Sequence, residues 1–123
     1  MKGRQMTAPV VMYGLKNCDT IRKARSWLEA HGVDYQFHDY KSQGIDAAHL
    51  EKWMEVVGWE TLLNRAGTTF RKLPEDQKTG LDAAKALALM LAQPSMIKRP
   101  VLEAGSVIVG FKPELYAKAF AAR

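Results

Sequence analysis

VVMYGLKNCDTIRKARSWLEAHG, residues 10–32, is the stretch of sequence that decides the fold. The apolar run Val10–Tyr13 predicts a short buried strand. From Asp19 to His31 apolar residues recur at helical spacing between charged ones, which predicts an amphipathic helix, and Gly32 supplies its C-terminal stop. Cys18, the single cysteine of the chain, stands at the junction between the two elements.

The next segment has the periodicity of a second strand. Val33–Tyr40, VDYQFHDY, alternates apolar and polar residues with period two. A strand, a helix and a strand within about thirty residues form a βαβ unit. We therefore expect the two strands to be parallel and the crossover to be right-handed.

The middle of the chain has a helical pattern. Capping residues, glycines and prolines divide it into three predicted helical segments: Asp46–Gly58, Trp59–Gly67 and Asp82–Gln93. Ala66 is expected to be buried in the second segment. The third segment is apolar nearly all round, which predicts a well-buried helix. Residues 68–80 are polar and rich in turn residues, which predicts a loop.

The C-terminal part changes period again. Arg99–Phe111, RPVLEAGSVIVGF, contains two short apolar runs around a turn at Gly105, so we expect an antiparallel hairpin. Pro113 suits the first position of a last helix. The residues expected to face inward from that helix are Leu115, Tyr116, Ala119 and Phe120.

The length of 123 residues indicates one domain, residues 1–123. The sequence is 47% apolar and 25% charged, which is typical of a globular protein. A single cysteine excludes an internal disulfide, and no signal-like start or membrane-spanning run is present, so we expect a cytoplasmic protein without membrane contact. The formal charge of +5 suits anionic partners such as glutathione or oxyanions, or reflects only a solvated basic surface. Direct nucleic-acid binding is not expected.

Three separated blocks together resemble the ArsC–Spx–YffB family, and YffB-like proteins most closely: residues 13–40, residues 58–73 (GWETLLNRAGTTFRKL) and residues 97–102 (IKRPVL). These are glutaredoxin-related proteins that include arsenate reductases. The resemblance implies an α/β, thioredoxin-like (glutaredoxin-like) fold with a mixed four-stranded sheet and a helical insertion at about residues 44–93. Only residues 1–9 look like an extension.

Cys18 is the candidate nucleophile. It directly precedes a helix, so the unpaired N–H groups of the first turn and the positive end of the helix dipole favour thiolate over thiol. Lys16 lies close in sequence, adds positive charge that favours the thiolate, and is a candidate for binding the substrate or glutathione. The negative charge of Asp19 disfavours the thiolate. The alternative is that Cys18 is a small buried hydrophobic residue.

Ile21 occupies the position where a dithiol motif would place its second cysteine. Cys18 therefore cannot resolve its own mixed disulfide, and turnover needs an outside thiol. We expect glutathione as co-substrate, or a cysteine of another protein, and no bound cofactor. His31, His38 and His49 have no ligand spacing, so no metal site is expected.

The resemblance adds the other candidate site residues. It implies that Pro100 is cis and faces Cys18, that the residue before it offers its backbone to a peptide-like thiol such as glutathione, and that Arg99 holds an anion. The alternative is that Pro100 only begins an edge strand and Arg99 is solvated.

Two positions match the arsenate reductases less well. Those enzymes place an arginine after a Leu-Leu pair, where this chain has Arg65 one residue later, with Arg71 nearby. They place a second arginine directly before a proline, where this chain has Lys112. Lysine keeps the positive charge but lacks the planar guanidinium that can donate two hydrogen bonds to one oxyanion. Arg65 and Lys112 are therefore candidates for substrate binding or plain surface residues.

These features predict a glutathione-dependent thiol/disulfide reductase with Cys18 as the single nucleophile, acting on glutathione and a thiol- or disulfide-containing protein. One alternative is an arsenate or other oxyanion reductase. The other is a non-catalytic, Spx-like protein-binding regulator of the kind that binds RNA polymerase, although the paired cysteine motif of some such relatives is absent.

Overall fold

A computed structural model describes residues 9–121 of the chain. They divide into two compact units, one formed by residues 9–42 and 99–121 and the other by Gln43–Lys98. The predicted insertion, residues 44–93, falls within the second unit, and the single domain over residues 1–123 stays a prediction. The predicted extension, residues 1–9, lies outside the described residues except for Pro9.

The first unit contains a four-stranded mixed sheet of order β2-β1-β3-β4. Strands β1 and β2 are parallel, while β1–β3 and β3–β4 are antiparallel. This arrangement confirms the predicted thioredoxin-like α/β fold and both predicted strand pairings. The strands are β1 (Val11–Gly14), β2 (Gln36–Asp39), β3 (Val101–Glu103) and β4 (Val107–Val109).

One face of this sheet carries the core of the first unit. Helix α1 (Asp19–Ala30) buries an apolar stripe against it, and α8 (Pro113–Ala121) contributes Tyr116. Burying side chains of this size stabilises the fold by about 1.5–3 kcal/mol each. The fully buried members include Met12, Ile21, Ala24, Leu28, Leu102 and Tyr116.

Strand β2 is shorter than the predicted Val33–Tyr40 because its partner is short. β1 offers only four residues, and the parallel register pairs Val11 with Gln36 through Gly14 with Asp39. The chain before Gln36 has no strand partner in this register, and Tyr40 already begins α2 (Tyr40–Gln43).

The second unit is helical. Its elements are α3 (Ala47–Val57), α4 (Trp59–Leu62), α5 (Thr68–Arg71), α6 (Glu75–Lys78), α7 (Ala83–Ala92) and a 3-10 turn, Pro94–Met96. Asp46 and Asp82 cap α3 and α7, each accepting a backbone N–H at 2.9 and 2.8 Å respectively. Gly58 ends α3 with φ +84°, a conformation that favours glycine. The core of this unit includes Leu50, Trp53, Leu62, Leu63, Met90 and Ile97.

Several predictions about burial and loops were wrong. Residues 68–80 are not a plain loop but contain α5 and α6, because Phe70 is buried and anchors a helical turn. Helix α7 buries only Ala86 and Met90, since it packs on one side, and Ala66 is exposed.

In α8, Leu115 is 44% exposed rather than inward. It lies one position from the buried Tyr116, a rotation of about 100° around the helix, which turns it away from the core. Among the described helices, none has both the length and the apolar character needed to span a membrane.

Candidate functional site

Cys18 occupies the N-cap position of α1. Its backbone is extended, with φ −143° and ψ 127°, and its carbonyl accepts the N–H of Arg22 at 3.0 Å. The side chain is partly exposed and also packs against the core. The thiol therefore stands at the first turn of a twelve-residue helix, with one side open to solvent.

The surroundings of the sulfur favour the thiolate. Partial burial raises the pKa of the Cys18 thiol, but the backbone N–H of Ile21, the guanidinium of Arg99 and the N–H of Thr20 lower it, and the charge of Arg99 lowers it further. The net pKa is below the ordinary value for cysteine. No side-chain cap hydrogen bond of standard geometry forms at Cys18, and the N–H groups of Thr20 and Ile21 instead stabilise the thiolate.

Arg99 and Pro100 directly precede β3. The Arg99-Pro100 peptide bond is cis, as predicted, and Pro100 is buried. The Pro100 carbonyl accepts the N–H of Gly110 at 2.8 Å, which joins the start of β3 to the end of β4. Because Arg99 donates a hydrogen bond toward Cys18, the structure brings these two predicted site residues together.

Gly14 is a site residue that sequence reasoning missed. A Cβ atom at this position would overlap Cδ1 of Ile21, a fully buried side chain. Gly14 therefore lets the first turn of α1, which carries the N–H groups beside the sulfur, approach the end of β1. The signal in the sequence was a glycine at the point where a strand ends before a helix.

Asp19 opposes the thiolate less than its position suggests. Its carboxylate pairs with the guanidinium of Arg22, one helical turn on, and both side chains are exposed. Sequence reasoning named the acid but not its partner. Lys16 is exposed and is not among the groups that chiefly lower the pKa of Cys18, so its role stays a prediction.

No contact places the remaining candidates beside Cys18 within residues 9–121. Arg65 and Arg71 are exposed residues of the second unit, and the guanidinium of Arg65 lies 5.7 Å from the ring centre of Trp59. Lys112 is exposed in the first unit, and its carbonyl accepts the N–H groups of Leu115 and Tyr116 at the start of α8. Substrate binding by Arg65 and Lys112 stays a prediction.

A polar cluster lies on the sheet face opposite the core. The Tyr13 hydroxyl donates to a Glu103 carboxylate oxygen at 3.1 Å. The buried Tyr40 hydroxyl has no hydrogen-bond partner in the described part of the chain, and burial, with a smaller effect of Tyr13, raises its pKa strongly. Arg99 opposes this rise, so Arg99 acts electrostatically on Tyr40 as well as on the thiol. Residues 9–121 contain no group of three side chains that could hold a metal ion.

Comparisons with known proteins agree with this geometry. The ArsC family model matches residues 13–119. An uncharacterized protein of Haemophilus influenzae is 40% identical over 113 residues, covering 91% of this chain and 99% of its own. The global transcriptional regulator Spx of Lactiplantibacillus plantarum is 23% identical over 95 residues, covering 76% and 71%.

Two solved structures are more similar. The YffB protein is 65% identical with a TM-score of 0.87, covering 89% of this chain and 97% of its own. An arsenate reductase (ArsC) related protein from Brucella melitensis is 62% identical with a TM-score of 0.74, covering 92% and 95%. With the family model matching most of its length, and the thiol and cis proline at the same end of the sheet, the chain belongs to the ArsC family.

Proposed function

We propose that this protein is a glutathione-dependent thiol/disulfide reductase in which Cys18 is the single nucleophile. The observation that carries the proposal is the environment of the sulfur, where two backbone N–H groups and Arg99 outweigh the effect of burial and lower the thiol pKa. Membership of an arsenate reductase-like family supports a redox enzyme in general. A thiolate is the attacking species in disulfide exchange.

The reduction of a glutathionylated protein needs only one thiol from this protein. The Cys18 thiolate attacks the glutathione sulfur of a glutathionylated protein, a Cys18–glutathione disulfide forms, and the protein leaves as a thiolate that takes up a proton. A free glutathione thiolate then attacks the glutathione sulfur of that disulfide. Glutathione disulfide leaves, and the Cys18 thiolate is restored. No second cysteine is needed, in agreement with Ile21 at that position.

Arg99 serves two partners in this scheme. Before reaction its guanidinium hydrogen-bonds the sulfur. When the sulfur becomes part of a disulfide it loses its negative charge, and the guanidinium is then available for a carboxylate of glutathione, which suits its planar fork. Because Pro100 has no N–H and its carbonyl accepts Gly110, strand-like docking of glutathione would use the backbone of Arg99.

The direct test is a coupled turnover assay with glutathione and three substrates: a glutathionylated peptide, a simple disulfide and arsenate. The wild type should reduce the glutathionylated peptide, and Cys18→Ser should reduce none of the three. Mass spectrometry should find one glutathione on the wild type after treatment with oxidised glutathione, and none on Cys18→Ser. Wild-type protein that takes up no glutathione and turns over no disulfide would refute the proposal.

Oxyanion reduction is the second candidate, because Arg99 lies beside a thiolate. Cys18 would form a sulfur–arsenic bond with loss of water. Glutathione attack on that sulfur would form a Cys18–glutathione disulfide and leave the electron pair on arsenic as arsenite, and a second glutathione would then release the Cys18 thiolate as glutathione disulfide leaves. Turnover of arsenate above the glutathionylated peptide in the same assay would select this candidate.

A protein-binding regulator remains the alternative from another class, supported by the similarity to Spx. A regulator of this kind would bind its protein partner without using the thiol of Cys18. Binding of a protein partner that is unchanged in Cys18→Ala, together with absence of turnover in the wild type, would select the regulator over both enzymes.

A further inference from the structure

The edge of the sheet at β4 lies beside a groove outside the thiol site. β4 is the last strand of the sheet formed by the described residues. Beside it lies a groove of about 310 Å³ between β4 and α8. The groove is lined by Ser106, Val107, Ile108, Val109, Leu115, Lys118 and Ala119.

The register of the β3–β4 hairpin shows which backbone groups face outward. Ala104 donates its N–H to Ser106 at 2.9 Å, and Gly110 donates to Pro100 at 2.8 Å. Bonded pairs alternate along an antiparallel ladder, so the central residue of β4 is bonded to β3. The first and third residues of β4 therefore direct N–H and C=O groups away from β3, and residues 9–121 supply no further strand to pair with them.

The groove adds side-chain chemistry to this free edge. Leu115 lines the groove from α8 and is 44% exposed. Ile108 lines it from β4 and also packs against the core. Lys118 is the one charged residue of the lining, so the groove combines an apolar patch with a positive charge.

Strand β4 itself leads to the end of the sheet that carries the thiol. β1 and β4 are each antiparallel to β3, so they point the same way. β1 leads to Cys18, and β4 leads to Gly110, which is bonded to the cis Pro100. A segment lying along β4 would therefore enter the site from the side.

We propose that the β4–α8 groove binds an extended, acidic segment of a protein substrate, which pairs with β4 as a fifth strand. The inference rests on the proposed function, because it names the substrate class of the same thiol. Lys118 and the net charge of +5 favour an acidic segment and disfavour a second copy of this chain, which would bring two such surfaces together.

Docking can be measured apart from catalysis. The probe is a short peptide of alternating Val, Thr and Glu, added to Cys18→Ser and followed by amide NMR. The signals of Val107 and Val109 should shift and become protected from exchange. A peptide with Lys in place of Glu, and one with a central Pro, should bind at least about fivefold more weakly, because they lose the charge pair or a ladder hydrogen bond.

The test variant is Lys118→Glu and its matched control is Lys52→Glu, because both change the net charge by the same amount. Lys52 is an exposed residue of α3 and does not line the groove. Lys118→Glu should weaken binding of the acidic peptide roughly five- to tenfold, and Lys52→Glu less than about twofold. With the glutathionylated acidic peptide as substrate, Lys118→Glu should lower kcat/KM by the same factor, and turnover of a small glutathione mixed disulfide should stay unchanged.

The outcomes separate the two proposals. Peptide binding at β4 with no turnover of any disulfide would uphold the groove and refute the reductase. Turnover of the small disulfide without shifts at β4 would overturn the groove and leave the reductase intact. Shifts at Val107 and Val109 that arise on raising the protein concentration alone would show that a second copy occupies the groove, and would also overturn the inference.

Discussion

The starts of three helices differ in what their N–H groups do. Asp46 and Asp82 precede α3 and α7, and each side chain accepts an N–H of the first turn. Cys18 precedes α1, the longest described helix, and its thiol forms no such cap. The N–H groups of Thr20 and Ile21 there lower the pKa of the sulfur. An aspartate therefore caps the two helices whose starts only stabilise the fold, whereas no side chain caps the helix start that carries the thiol.

Replacing the thiol by a cap should reverse that difference, and this is the largest effect we expect. Cys18→Asp should abolish turnover of the glutathionylated peptide, by at least about a thousandfold, because the nucleophile is gone. The same variant should be about 0.5–1 kcal/mol more stable to urea unfolding, because α1 gains a cap. Equal or lower stability would contradict the view that α1 lacks a cap for the sake of its thiol.

The approach of α1 to β1 offers the next largest effect. Gly14→Ala should cost roughly 1–3 kcal/mol of unfolding free energy, because the new Cβ meets the buried Ile21 side chain. The clash involves Cδ1, which valine lacks. Adding Ile21→Val should therefore recover part of the loss, although Ile21→Val alone is destabilising. Strictly additive costs in urea unfolding of the four proteins would show that the contact does not set the position of α1.

The sequence predicted α1 and its junction well because both depend on local signals. The helical spacing from Ile21 to Leu28 and the strand before it give the place of Cys18 without any tertiary information. The pairing of Arg99 with the sulfur came from resemblance, since those residues are far apart in the chain. Their proximity depends on the β1–β3 ladder, which no local pattern encodes.

The failures have a common physical origin in neighbours that are distant in sequence. β2 ends where β1 stops offering partners, and α5 forms because Phe70 is buried. The exposure of Leu115 depends on which side of α8 meets the sheet, because apolar residues occupy more than one side of that helix. Gly14 could not be identified as a site residue until the position of Ile21 was known.

The capped helices should respond to cap removal more than α1 does. Asp82→Ala should cost about 1 kcal/mol of unfolding free energy, because the Lys85 N–H loses its acceptor. Cys18→Ala should cost only a few tenths of a kcal/mol in the same urea titration run at a pH below the pKa of Cys18, because the protonated thiol forms no side-chain cap bond. If the two variants lose equal stability, the thiol caps α1 in solution and the comparison between the helix starts fails.

The smallest effect we expect is the difference in thiol pKa between a helix start with an arginine beside it and a helix start without one. The rate of alkylation against pH should give Cys18 a pKa below the free-cysteine value of about 8.5. Arg99→Gln should raise this pKa, since the hydrogen bond and the charge of Arg99 both lower it, while the N–H groups of Ile21 and Thr20 still oppose the effect of burial. As a reference, Asp82→Cys in a Cys18→Ser background places a thiol at a helix start without that arginine, and it should titrate above wild-type Cys18. The lowered pKa also affects stability. Because folding lowers the pKa of Cys18, the thiolate stabilises the fold at pH values above the pKa of the unfolded chain. This contribution is lost as the pH falls through the pKa of the folded protein. A Cys18 pKa that does not move in Arg99→Gln would mean that the helix start alone activates the thiol and that Arg99 acts only on the substrate.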